Sequence, residues 1–192
     1  MRRIRGSRTP LIALLVVEGL ILFFALEHHI SHGRWDVKTL TDPSKGRVRL
    51  APVVDTTVAA LLRVPRPTVR PGPGERSEPY ETTVYRVRAR LLVVHQQLDL
   101  DDHLEIADPA DPGKTMIVEI PAPSEARGSG FESAFAAARA AVAAKMRQRR
   151  PREGWDVTVT GVGFFDFTHF QPGASESGFE LHPVLAIEFT DR

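Results

Sequence analysis

Six side chains able to bind a metal or move a proton stand in the second half of the chain: His103, Glu119, Asp166, His169, Glu180 and His182. Four of them, Asp166, His169, Glu180 and His182, fall on either side of a Gly/Ser-rich turn within the stretch Val157 to Val184. Two imidazoles and two carboxylates are a donor set for zinc, manganese or a similar ion, or for a general base that activates water. If extended, Glu180 and His182 project to the same side, because strand side chains alternate with period two. The spacing is not that of an H-E-x-x-H helix or of another established metal motif. A competing reading gives Asp166 and His169 turn hydrogen bonds to backbone amides, and has Glu180 and His182 order the loop before Pro183.

Other chemistries find less support. The chain has no Cys, which removes disulfides, thiolate zinc sites and cysteine nucleophiles. Ser175 and Ser177 lie in GASESG, which lacks the G-x-S-x-G elbow and its strand–turn–helix setting. GVGFF is surrounded by strand and not followed by a helix, so it is no dinucleotide loop, and the sequence leaves any cofactor open. Arg86, Arg88 and Arg90, with Phe164, Phe165, Phe167 and Phe170, could offer charge and a stacking platform for single-stranded nucleic acid. Alternate aromatics on a strand are normally core, however, and outward arginines are normally solvated, so nucleic acid is not the expected partner. A formal net charge of +1 agrees, since it does not describe a surface built as a whole for polyanions.

The elements that must position these residues begin after a separate N-terminal segment. Arg2, Arg3, Arg5 and Arg8 precede the apolar run Leu11 to Leu26, which is interrupted only by Glu18 and Gly19. Extended over residues 11–30, the run reaches spanning length, and the leading arginines place the N-terminus in the cytoplasm. An uncleaved signal anchor is preferred to a cleaved signal peptide, because no small-x-small site follows Leu26. His28, His29 and His32 read as interface histidines or as a short metal-binding tract. Residues 31–80 carry Pro52, Pro65, Pro67, Pro71, Pro73 and Pro79 and read as a semi-rigid spacer, with one short helix over Thr56 to Leu62 capped by Asp55.

Residues 81–192 read as the folded domain. TTVYRVRARLLVV, Thr82 to Val94, alternates with Tyr85, Val87, Ala89, Leu91 and Val93 on one face, a strand long enough to serve two sheets or a barrel. HLEIAD and TMIVEI follow as strands, separated by the turn DPADPGK. Ser129 and Glu132 have capping-box spacing before a helix whose stripe is Phe131, Phe135, Ala138, Val142 and Met146. Two more strands, Trp155 to Phe167 and Val184 to Phe189, complete the order βββαββ, with Gly161 and Gly163 marking a bulge or close approach in the first of them. Hydrophobic content of 42% beside 26% charged residues supports a globular core. The order predicts a mainly β fold with one core helix, an OB-like five-stranded barrel, preceded by a transmembrane helix; a plain α+β sandwich is the alternative.

The pieces TVYRVRARL, DDHLEIAD, TMIVEIP, VTGVGFFDF and ELHPV resemble a family of uncharacterised bacterial proteins with an OB-like domain behind an N-terminal hydrophobic segment. The likeness runs from about Trp35 to the C-terminus and is most specific at GVGFFD and ELHPV. Where that family carries a Gly–Asp pair before the histidine of the second strand, this chain has Leu100 to Asp102. The resemblance implies the fold and no activity. The resulting expectation is a single-pass membrane protein, held by residues 11–30, whose extracytoplasmic domain binds an envelope protein or a glycan. The alternative is a metal-dependent hydrolase or nuclease using Asp166, His169, Glu180 and His182.

Overall fold

The computed structural model describes residues 34–96, 100–148, 151–166 and 173–190. The expected membrane segment, its flanking arginines, Glu18, His28, His29 and His32 lie outside the described residues, as do His169, Phe167 and Phe170. Among the described residues no helix is long and apolar enough to cross a membrane.

The strand β2, Thr83–Gln96, organises the molecule. Its period-two pattern buries Tyr85, Val87, Ala89 and Leu91 and leaves Arg86 and Arg88 exposed. At fourteen residues it is long enough to pair with three neighbours. Strand β1, Arg49–Thr56, runs parallel to its first half. Strand β3, Asp102–Asp108, runs antiparallel to its second half. Strand β5, Trp155–Phe165, takes the opposite edge from Val84 to Leu91. Strand β4, Asp111–Ile120, forms a hairpin with β3. Strand β6, Phe179–Phe189, lies antiparallel to β5 and meets β4 in parallel at Val118 and Leu181. The pairings β2-β3-β4-β6-β5-β2 therefore close a five-stranded ring.

The ring is filled by side chains that include Val87, Leu91, Leu104, Ile106, Val118, Leu181 and Val184. Full burial of each large apolar side chain contributes about 1.5–3 kcal/mol. The helix α3, Glu132–Met146, packs on β6 and β4 through Phe135, Ala138 and Val142. The expected stripe thus holds in its middle, while Met146 is 47% exposed. Its start is displaced by two residues from the expected box: the N-cap is Phe131 and not Ser129, the Glu132 carboxylate accepts from the Gly128 amide, and Ser129 Oγ accepts from the Phe131 amide.

Residues 31–80 do not form the expected spacer over their described part. Arg34–Arg192 make one compact unit, and Leu40, Val58 and Leu61 belong to the same core as the barrel strands. The prolines exclude a long helix, but isolated apolar residues between them still reach the barrel. The segment supplies helix α1, Trp35–Lys38, strand β1, and helix α2, Val58–Leu61. Thr57, not Asp55, caps α2 by accepting from the Ala60 amide; Asp55 lies in β1 and pairs with Arg86. The sheet therefore has six strands where five were expected. The final two strands also shift: β5 ends at Phe165, and β6 begins at Phe179, which places Glu180 and His182 within a strand and not in a loop.

Candidate functional site

Alternation along β3, β4 and β6 turns Leu104, Val118, Ile120 and Leu181 into the barrel and His103, Glu119, Glu180 and His182 outward. On most barrels such a row meets solvent. Here all four side chains are buried. The cover is the N-terminal segment around α1. Arg34 and Lys38 both lie over the ring of Phe164, at 5.0 Å and 5.5 Å from its centroid. Arg34 also donates to both carboxylate oxygens of fully buried Glu81, at 2.8 and 2.7 Å. Glu81 in turn accepts from the backbone amides of Ser77 and Phe165, so one carboxylate ties three separate pieces of chain together. Arg76 grips Asp42 in the same bidentate way, through Nε and Nη2. Arg34 and Leu40 bracket α1 with left-handed backbone, φ 61 and 56, a conformation costing about 1–3 kcal/mol per residue that persists only where its surroundings over-determine it.

Beneath this cover the polar groups meet one another. His103 and Glu119 are cross-strand partners, and His103 Nδ1 lies 2.6 Å from Glu119 Oε1. The other Glu119 oxygen is 2.8 Å from His182 Nδ1 and 3.7 Å from Lys38 Nζ. Lys38 Nζ reaches Asp166 Oδ2 at 3.4 Å. On its far side the His182 ring places Nε2 3.3 Å from Asp101 Oδ2, and Glu180 Oε1 lies 3.4 Å from Nδ1. Asp101 is fixed just before β3, where its second oxygen accepts from the Ala122 amide. Phe164 closes the cluster edge-on to His182, with ring centroids 5.7 Å apart.

Backbone approach brings these pieces close. A Cβ on Gly163 would stand 2.4 Å from the Tyr80 carbonyl, so only glycine lets β5 run against the turn that carries Glu81. Gly178, at φ 73, accepts a hydrogen bond from the Asp166 amide through its carbonyl, and a Cβ there would stand 2.0 Å from the Asp166 carbonyl.

Burial sets the protonation of the cluster. It pushes the Glu119 carboxyl up, but the charges of Lys38 and His182 and the hydrogen bond with His103 outweigh it and hold the group well below its ordinary range. Glu180 is raised by burial and then by the Glu119 charge, to about 7. Burial pulls His182 and Lys38 down, yet the surrounding carboxylates reverse the effect and raise both. The net outcome is a buried ionic network in which lysine and histidine face four carboxyl groups.

The sequence-derived residues divide accordingly. Asp166, Glu180 and His182 do come together, joined by His103 and Glu119. His169 lies outside the described residues. Lys38, Asp101, Arg34 and Glu81 were not anticipated. Arg86, Arg88 and Arg90 form no stacking platform with the described aromatics. Phe164 and Phe165 are buried, Arg86 pairs in bidentate fashion with Asp55, and Arg90 pairs with Glu153 and Asp156. A separate open groove of about 740 Å³ lies over β2 and β5, lined by residues that include Asp55, Thr57, Arg88, Thr158, Thr160 and Glu188.

No protein-family model, curated protein or solved structure matches the chain.

Proposed function

We propose that this chain is a membrane-anchored interaction protein whose extracytoplasmic barrel, an OB fold, binds an envelope protein or a glycan. The fold reading is supported by the strand order β2-β3-β4-β6-β5 closed back on β2, with the one parallel pairing between β4 and β6 and the helix placed before β5. The family resemblance at Gly161–Asp166 and Glu180–Val184 stands with that reading, as do the anchor over residues 11–30 and the cytoplasmic N-terminus. The observation that carries a binding role over an enzymatic one is the covered face: the side chains best suited to catalysis are buried, and Arg34, Lys38 and Phe164 occupy the space a substrate would need.

The groove over β2 and β5 is the surface through which this barrel binds. Two arginines, Arg86 and Arg88, face three carboxylates, Asp55, Asp108 and Glu188, alongside threonine hydroxyls. That lining repels polyanions and offers hydrogen bonds in both directions, which suits a hydroxyl-rich glycan or a polar protein surface. A photo-crosslinker at Thr158 in the full-length protein, expressed in its membrane, yields a discrete envelope adduct that Arg88→Ala abolishes. No adduct, or one insensitive to Arg88, sinks the groove. A reporter fused after Arg192 that is active in the cytoplasm overturns the topology.

A further inference from the structure

We propose that the groove over β2 and β5 docks a second copy of this chain, the two copies being related by a two-fold axis that passes through Thr158 along β5. This rests on the groove being the barrel's binding surface, and it names the partner. Five charged residues line the groove, and three of them are already engaged. Asp55 and Arg86 hold each other through two hydrogen bonds. Asp108 accepts from the Ala59 and Ala110 amides. Among the described residues the side chains of Arg88 and Glu188 have neither a hydrogen bond nor an ion pair, and both are exposed.

Register sets where these two charges stand. Arg88 on β2 lies beside Thr158 on β5, and Thr158 lies beside Glu188 on β6. Strands run about 4.8 Å apart, so the row reads cation, hydroxyl, anion, with its ends about 10 Å from one another and Thr158 at the centre. The neighbouring row reads Arg86, Thr160 and Ala186.

A two-fold axis along β5 turns the second copy face to face and exchanges its sides, so β2 of each copy lies over β6 of the other. Arg88 of each copy then meets Glu188 of the other, Thr158 meets its own counterpart, and Arg86 passes over the small side chain of Ala186. A face whose charge changes sign across its centre is complementary to itself under this operation. The lining is one-sided in the same sense. Residues 55–57 and the turn between β3 and β4 stand beyond β2, whereas Glu188 alone marks the β6 side. A neutral glycan in the groove would leave both charges without a counter-ion. Exposed ion pairs are individually weak, but anchors in a common membrane raise the effective concentration of one copy around the other.

The test uses the absence of Cys from the chain, so that Thr158→Cys places a single thiol on the axis. In full-length protein in its membrane, a bis-maleimide spanning about 10 Å, the usual separation of facing sheets, joins two copies into a species of twice the chain mass. In that background Arg88→Glu or Glu188→Arg sets like charges opposite each other at both contacts and lowers the yield about tenfold. Both changes in one chain restore the yield, and co-expression of the two single variants restores it as mixed dimers. A different partner gives neither rescue. A dimer that the single variants leave unchanged, or that the double variant fails to restore, overturns the second copy as occupant. An adduct of another mass at Thr158 that Arg88→Ala abolishes also overturns it and keeps the groove; absence of any adduct overturns both.

Discussion

The two outer faces of the barrel obey the same alternation and meet opposite fates. Over β3, β4 and β6 the outward residues His103, Glu119, Glu180 and His182 are buried and chained together, His103 to Glu119 at 2.6 Å, Glu119 to His182 at 2.8 Å and His182 to Glu180 at 3.4 Å. Over β2 and β5 the outward residues Arg86, Arg88, Thr158 and Thr160 keep contact with water. Both rows are polar, so strand chemistry alone does not separate them. The difference is the N-terminal segment, which lies across one row and leaves the other open. Coulombic attraction that water screens on the open face is the main compensation for desolvation on the covered one. A polar residue on a strand therefore acquires its energetic weight from what is laid over it.

The sharpest probe of this contrast is Glu81→Ala. It leaves the Arg34 guanidinium and two backbone amides without their acceptor inside the covered face, at a cost of about 3–5 kcal/mol. In a thermal melt of the full-length chain that is a fall of about 6–20 °C; a fall below 2 °C would mean that the cover is not held as described. Gly163→Ala comes next. The added methyl meets the Tyr80 carbonyl and forces β5 away from the turn, costing about 1–3 kcal/mol by denaturant unfolding, whereas Gly46→Ala, with nothing near it, leaves the midpoint where it was.

The pH dependence follows from signs. Glu180 and His182 both bind protons more tightly in the folded chain, so each contributes stability at low pH that is lost as pH rises through its folded value. Glu119 has the opposite sign, and its contribution is lost on acidification below the ordinary carboxyl range. The protein is therefore most stable in mild acid and loses stability as pH rises from about 5 through 7. Glu180→Gln flattens that slope and melts higher than the parent at pH 8; an unchanged slope would remove Glu180 from the network. The smallest effect belongs to the open face. Asp55→Ala breaks an exposed pair with Arg86 and leaves the unfolding midpoint within experimental error, at low salt and high.

Much of the barrel could be read along the chain. The alternation from Tyr85 to Leu91, the meander and the helix stripe each carried its period. The covered site was legible in part. The hairpin turns at Pro109 and Ala110, so counting outward from it would set His103 opposite Met116; a register shift between Ala107 and Asp108 brings it opposite Glu119 instead, and nothing in the sequence marks that shift. Glu180 and His182 were placed ahead of the last strand, which was read as starting at Val184, in the loop before Pro183. In the fold that proline sits where the β5–β6 register slips between Gly161 and Gly163, so its missing amide interrupts no regular ladder. Lys38 and Arg34 left no signal, since a lysine and an arginine ahead of a proline-rich stretch look like any linker. Their role exists only once distant strands have placed Glu119, Asp166 and Glu81 beside them.

That dependence fixes an order in time. Lys38 and Asp166 are 128 residues apart, and Arg34 lies 131 residues from the Phe165 carbonyl it approaches. The first part of the unit to be synthesised is thus the last to be fully seated: until β5 and β6 have left the ribosome its cations have Glu81 and Glu119 to meet, but not Asp166 or the Phe165 carbonyl. Loops of such length close late and slowly. Through that interval the nascent chain carries an open row of histidine and carboxylate, and docking of the segment around α1 marks the moment at which the domain is finished.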